Sequence, residues 1–444
     1  MLQPCSGTPL RIGMLGLGTV ARGVIQILKD SSALLAQRVG RPLVLHAVAS
    51  RRADRQASLL DGLPRPALVC TDLLAVATHP EVDVLVELIG GVNDARSAVL
   101  AALRAGKHII TANKHLLAEH GAEIFAAARA SGVAVGYEAS CAGAIPVIHA
   151  LLTGLQANRI DRIAGILNGT CNYILTGMAR RAQSFESVLA DAQQRGYAEA
   201  EPSLDIDGHD TAHKIIVLAS LAFAANLRLD DLPVRGIRHV IQTDLRFAAE
   251  LGYVIKLLAT ARRTRPDQHA PLSLAVEPSF LPREHPLAGV DGSLNAVQIG
   301  GSAAGDIFFS GRGAGSAPTA SAVMADLLDC AIGTAGLRFA RLAVFNDQTA
   351  RPALLPDEHR EARFYLRVMA ADRPGVMASM TAALAREQIS LAALIQHESP
   401  DGQEPVPIAC LTHITSRGSL QRAAEQIARL NVIHGEPMIM PIID

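Results

Sequence analysis

The chain has 444 residues and carries 41 Lys+Arg against 42 Asp+Glu, a formal net charge of −1. At roughly 150 residues per domain, that length suggests about three domains. Near-neutrality without a dense basic block argues against a nucleic-acid or anionic-membrane partner, since both draw on clustered positive charge. Aromatic residues supply only 3% of the chain and Trp is absent, so a core built from its 49% apolar residues must be aliphatic. The longest mid-chain apolar stretch, residues 215–225, falls far short of the ~20 residues that span a bilayer, so no transmembrane helix is expected. The first ten residues hold no Lys or Arg and do not read as a secretory leader. Six cysteines (5, 70, 141, 171, 330 and 410) form no C-x-x-C pair, which predicts a reduced, cytoplasmic protein with neither a disulfide framework nor a structural zinc site.

In chain order, the apolar runs at 10–15, 43–49, 82–89, 108–111 and 133–137 read as strands. Helical patterns at 19–38, 94–105 and 114–130 separate them. This alternation predicts a doubly wound parallel sheet covered on both faces. After about residue 138 the rhythm changes to an α+β region, with helices expected at 185–195 and 210–225 and strands near 272–277 and 306–309. A Gly-rich turn beginning at Gly311 then feeds a helix over 318–333. Residues 346–361 are polar, contain Pro352 and Pro356, and read as a linker beyond which the tail could be lost, subject to its apolar surface. The last eighty residues give strand 364–370, helix 376–387, strands 391–397 and 408–414, helix 419–430 and strand 438–443, the βαββαβ order of a ferredoxin-like unit. The expected division is 1–137 plus 312–345 for nucleotide binding, 138–311 for substrate binding and dimerisation, 346–362 as linker and 363–444 as a regulatory domain.

Chemistry concentrates in a few motifs. Gly16, Gly18, Thr19, Val20 and Ala21 follow the first strand and open a helix. The glycines allow a tight turn and close backbone approach, and the helix N-terminus offers N–H groups to a pyrophosphate. A bare match of this kind also occurs in packing turns. The second strand ends at Ser50, Arg51 and Arg52, where an acidic residue would hold the ribose hydroxyl of NAD. Guanidiniums there favour the 2′-phosphate of NADP, with NAD left open and two solvated arginines as the bland alternative. Thr111 and Lys114 lie at the carboxyl end of a strand, the rim on which open α/β sheets bind ligands. Asp210 and Lys214 stand at i and i+4 ahead of an apolar helix, and Glu199, Glu201, Asp205 and Asp207 crowd a short loop upstream. That grouping fits a pocket for a cationic, hydroxyl-bearing small molecule; an exposed salt bridge is the competing reading. His209 and His213 share a helix face, but they lack the Glu and the third ligand of a zinc-protease site.

The run Gly165-Ile-Leu-Asn-Gly-Thr-Cys-Asn-Tyr-Ile-Leu-Thr-Gly-Met178 resembles homoserine dehydrogenases closely. It is joined by Thr111–Lys114, Glu138–Pro146, Gly196–Pro202 and Gly311–Thr319. The resemblance covers residue 10 to about 345, and the tail, through Asp372-Arg-Pro-Gly-Val376, resembles an ACT domain. It implies NAD(P)-dependent interconversion of L-homoserine and L-aspartate 4-semialdehyde, in threonine and methionine biosynthesis, by a chain with no kinase region. It further implies that Lys214 is the acid/base, with Asp210 in support and Lys114 near nicotinamide and substrate. Glu199 and Asp205 would hold the substrate. Gly16, Gly18, Thr19, Val20, Arg51, Arg52, Thr111, Lys114 and Gly315 would serve the cofactor. Glu138, Cys141, Gly143 and Ile145 match a loop that holds a monovalent cation such as sodium, mainly through carbonyls. Asp372, Gly375 and Val376 match an amino-acid effector site, and a homodimer or homotetramer is expected. Cys141, Cys171 and Glu201 depart from the commoner Val, Thr and Asp, and Gln388 replaces a frequent Asn in the tail. A dehydrogenase for a related amino-acid aldehyde is the nearest alternative reading, ahead of a non-catalytic amino-acid sensor.

Overall fold

The computed structural model describes residues 7–397 and 405–443, and the chain divides into two compact units. The first comprises Met1–Asp161, Ala212–Asp230 and Asn295–Pro352, the second Arg162–Thr211, Asp231–Leu294 and Ala353–Asp444.

The first unit holds a six-stranded parallel sheet built from β1 (Leu10–Leu15), β2 (Leu43–Ala49), β3 (Leu68–Cys70), β4 (Val84–Glu87), β5 (His108–Thr111) and β6 (Val135–Gly136), in the order β3-β2-β1-β4-β5-β6. Chain order reverses between β1 and β4, the switch point where a crevice opens beyond the strand ends. The expected doubly wound sheet is therefore present. Two of its strands are shorter than their apolar runs, because pairing stops before hydrophobicity does. β4 pairs only over Val84–Glu87, and β6 contributes two ladder positions opposite Ile109 and Ile110. Helix α1 (Thr19–Val39) buries Val24, Ile25 and Leu28 on one face, in a core shared with Ile12, Met14, Val84 and Val86. Helix Ser316–Ile332 returns the chain to this core through Ala320, Val323 and Leu327. No single described helix is long and apolar enough to cross a membrane, and none of the five described cysteines forms a disulfide.

The second unit is organised around a long antiparallel pair, Tyr253–Arg263 with Leu272–Pro282, of which the sequence reading found only a fragment. Leu272 to Leu281 are buried without a break, Ser273, Glu277 and Ser279 included, so neither face of this strand meets solvent. In the C-terminal part, strands Glu361–Ala370, Leu391–Gln396, Val406–Thr412 and Met438–Ile442 pair antiparallel, as the βαββαβ order predicts. Helices Val376–Arg386 and Arg417–Ala428 complete its core with Leu384 and Leu420. This part is not hung on a loose spacer. Strand Met438–Ile442 pairs in parallel with Leu272–Pro282, and Leu355 donates its N–H to the Leu272 carbonyl at 2.8 Å. The Phe280 and Tyr365 rings stack at 4.3 Å.

Candidate functional site

The glycine turn after β1 is shaped by its residues. Gly16 has φ 94°, and a Cβ there would lie 2.9 Å from the Leu88 carbonyl oxygen, so only glycine serves. A side chain at Gly18 would meet no atom within 4 Å, which leaves that face open to a ligand. Helix α1 begins beyond it with no side-chain cap. Helix Ser316–Ile332 also begins uncapped, after Gly315 at φ 124°. The Ser316 hydroxyl donates to the Thr19 carbonyl at 2.7 Å, so two uncapped helix N-termini lie side by side. Their free N–H groups and dipoles make a site for an anion the size of a phosphate. Ser50 donates to the Gln56 amide oxygen at 2.8 Å and Gln56 donates to the Leu17 carbonyl at 3.2 Å, tying the end of β2 to this turn. Arg51 and Arg52 follow with exposed side chains.

The neighbouring rim is assembled around Glu87, which the sequence reading passed over. Its carboxylate is fully buried, accepts the Thr111 hydroxyl at 2.6 Å and takes the N–H groups of Ile89 (2.9 Å) and Gly90 (3.1 Å). Burial pushes this carboxyl above the usual range. Asn113 caps the next helix by accepting from Leu116 N–H at 3.1 Å, and it donates to the Gly91 carbonyl at 2.7 Å. Lys114 is thereby fixed at the first turn of that helix. The signal for Glu87 was a single acidic residue closing an otherwise apolar strand.

The loop from Glu138 is equally constrained. Its carboxylate accepts the N–H groups of Ile148 (3.0 Å) and His149 (2.7 Å) and pairs with the His149 ring. Its own N–H donates to Asp326 at 2.9 Å. His149 bonds Asp329 through its other nitrogen at 2.7 Å, and these two carboxylates push it up to about 10. Asp326, wholly buried and facing Glu138, is pushed up to about 7. Ala142 and Gly143 both adopt left-handed backbone, with φ 54° and 57°. A Cβ on Gly143 would strike the Gly313 carbonyl at 2.5 Å, so the loop is pressed against that segment. Such a turn fits the role of a carbonyl cradle for a monovalent cation. The Cys141 thiol points at the Lys214 carbonyl at 3.7 Å, and burial pushes it up to about 12.

In the second unit, Asn168 is the organising residue. Its amide oxygen accepts Cys171 N–H at 2.8 Å and caps helix Gly169–Arg181. Its amide nitrogen donates to Asp205 at 2.7 Å and to Asp210 at 2.8 Å. Two carboxylates are thus held by one amide group. Helix His209–Ala222 carries Asp210 in its first turn and Lys214 one turn later; Lys214 is only 8% exposed. The Glu199 side chain is exposed, and its carbonyl accepts from Gln193 at 3.0 Å. His213 stacks on His115 with ring centroids 4.3 Å apart. Among the described residues, the group with metal-ligating potential is instead His46, His79 and Glu81, with Arg11 competing for Glu81 at 3.4 Å. In the C-terminal part, Gly375 (φ 91°) precedes helix Val376–Arg386 without a side-chain cap, and Asp372 accepts from Gln396 at 2.9 Å. Gln388 sits at φ 58°, a conformation that Asn enters more readily, so its departure from the usual residue concerns backbone as much as any effector.

Residues 146–328 match the homoserine dehydrogenase family, residues 16–138 the homoserine dehydrogenase NAD-binding domain, and residues 364–431 the ACT domain. A homoserine dehydrogenase from Pseudomonas aeruginosa is 41% identical, with 96% of each chain covered. One from Neisseria gonorrhoeae is 40% identical over 97% of this chain and 98% of the relative. The crystal structure of a homoserine dehydrogenase from Thiobacillus denitrificans superposes with TM-score 0.90 at 42% identity, covering 99% of both chains.

Proposed function

The chain belongs to the homoserine dehydrogenase family, and from that premise we propose how its residues share the work. It is an oxidoreductase that interconverts L-homoserine and L-aspartate 4-semialdehyde with a nicotinamide cofactor. When bound, that cofactor would supply the hydride acceptor for the carbinol carbon of homoserine and the hydride donor for the aldehyde carbon. Lys214 accepts the hydroxyl proton in oxidation and gives it back in reduction, a role typically worth about 10²–10⁴ in rate. Asp210 supports Lys214 from the preceding turn. Glu199 and Asp205 bind the substrate's amino group and hydroxyl region, and Lys114 orients its reacting end. The observation that carries this assignment is the shared hold of Asn168 on Asp205 and Asp210, one helical turn before a buried lysine.

Gly16, Gly18, Thr19, Val20 and Gly315 receive the pyrophosphate, Thr111 lines the nicotinamide side, and Arg51 with Arg52 selects NADP over NAD by pairing with a 2′-phosphate. The carbonyls of Glu138, Cys141, Gly143 and Ile145 would hold a monovalent cation. Asp372, Gly375 and Val376 form the effector site of the ACT domain. Residues 1–137 plus 312–345 would form the nucleotide-binding domain, 138–311 the substrate-binding and dimerisation domain and 363–444 the regulatory domain, in a cytoplasmic setting; the edge strand Gly305–Arg312, with Phe308 exposed, supports pairing of two copies.

Reduction of aspartate semialdehyde should be followed with NADPH and with NADH, each with and without L-threonine. Turnover that favours NADPH and falls with threonine is expected. Equal use of both cofactors would overturn the arginine reading, and no turnover would overturn the assignment.

A further inference from the structure

Residues 234–238 touch two things that the chemistry keeps apart: the loop that carries Asp205, and the buried charge cluster beneath the C-terminal domain. At one end, Arg235 N–H donates to the Val276 carbonyl at 2.7 Å, and Val276 N–H donates to Pro233 at 3.0 Å, so the segment lies along strand Leu272–Pro282 like an added rung. The Arg235 guanidinium reaches Glu277 at 3.5 Å and pairs with Asp357. Glu277, 3% exposed, also takes Arg417 at 2.7 Å and is bonded by Arg360. Both of these arginines flank strands or helices of the C-terminal domain.

At the other end, Ile237 N–H donates to the Ile206 carbonyl at 2.8 Å. Gly236 lies flat on the same peptide: a Cβ would fall 2.1 Å from the Ile206 oxygen and 2.4 Å from the Asp207 Cα. Arg238 grips Asp207 with two bonds of 2.8 Å and reaches the Ser203 hydroxyl at 3.2 Å. Asp205, whose carboxylate shares the Asn168 amide with Asp210, is the neighbour of the residue held by this contact.

We propose that residues 234–238 are a positioning strap, in which Gly236 and Arg238 set the place of the Asp205 carboxylate while Arg235 anchors the same segment to the C-terminal domain's charge cluster. The strap touches no reacting atom; it acts through the loop. Five residues are too few to absorb a displacement of one end without moving the other, so a shift of Arg360 and Arg417 reaches Asp205 through backbone. The inference rests on the reading of Asp205 as a substrate residue.

Its test is steady-state kinetics on the full-length protein with L-homoserine and NADP. Arg238→Met should raise KM for L-homoserine about five- to twenty-fold, since small displacements of a binding group are costly. KM for NADP and kcat should stay within about two-fold, and Arg238→Lys should recover part of the loss. Arg235→Met, which removes only the far anchor, should move KM for homoserine in the same direction. Gly236→Ala should act most strongly; should it fail to fold, the two arginine variants decide alone. Folded Arg238→Met and Arg235→Met proteins with unchanged KM for homoserine would overturn the strap while leaving the substrate reading intact. A wild-type protein that does not oxidise homoserine at all would overturn the substrate reading itself, and the strap with it.

Discussion

At the nucleotide turn, helices beginning after Gly18 and Gly315 leave their first N–H groups without side-chain caps, and a side chain at Gly18 would face empty space. At the base of the C-terminal domain the opposite holds. Asp244 is fully buried and saturated by the Ile241 N–H (2.9 Å), the Tyr365 hydroxyl (2.8 Å) and Arg367 (2.7 Å). Polar groups left open mark where the molecule expects a ligand; polar groups closed upon one another mark where it must hold together. The C-terminal domain is thus joined through buried charges paired with one another.

That contrast can be broken most forcefully at the closed end. Arg367→Met leaves the Asp244 carboxylate buried with one hydroxyl and one backbone N–H but no cation, and should cost about 3–5 kcal/mol in a denaturant titration. A loss under 1 kcal/mol would mean that the domain docks through its apolar surface alone. Deleting residues 361–444 should do more damage still, because Asp244 loses Arg367 and Glu277 loses Arg417 together, and the protein should no longer melt cooperatively. At the open end, Gly18→Val should leave the melting temperature nearly unchanged, since φ is −76° and space is free. NADP binding should fall by about tenfold or more through lost backbone approach. A variant that melted early but bound NADP normally would reverse the reading of this turn.

Much of the first unit was legible in sequence because each parallel strand and its covering helix are local. The C-terminal βαββαβ unit was legible for the same reason. The pair Tyr253–Arg263 and Leu272–Pro282 was not. One strand is buried on both faces, and the other carries Lys256, a buried cation whose pKa burial pushes down, held by the Asn172 side chain at 3.0 Å and the Val290 carbonyl at 2.6 Å. A lysine in an apolar run suggests a helix surface, and nothing nearby in sequence announces its partners. The same limit hid the junction of the two parts of the second unit. Residues 346–361 look like a spacer until Asp357 is seen between Arg235, Arg360 and Arg417. For the candidate site, type and spacing single out the lysines and carboxylates proposed above. Asn168 and Glu87 were overlooked because their work lies in holding other residues.

Between the two extremes lies the network of Glu138, His149, Asp326 and Asp329. His149 is raised to about 10 by its carboxylates, so it adds stability fully below its unfolded value near 6.5. That contribution drains away as pH climbs toward 10. Wild-type stability should therefore fall across this window, and His149→Gln should flatten the fall. An unchanged pH profile would show that the cluster binds its charges as tightly without the histidine. The smallest effect is expected at Gln388, where Gly should relieve left-handed strain and stabilise by about 1 kcal/mol in a thermal melt.

The most direct trial of the whole account is turnover of L-homoserine and of aspartate semialdehyde by Lys214→Met, with cofactor binding followed in the same samples. Loss of about 10²–10⁴ in kcat in both directions, with cofactor binding intact, is the predicted result. Near-normal turnover would contradict it and transfer proton exchange to Lys114.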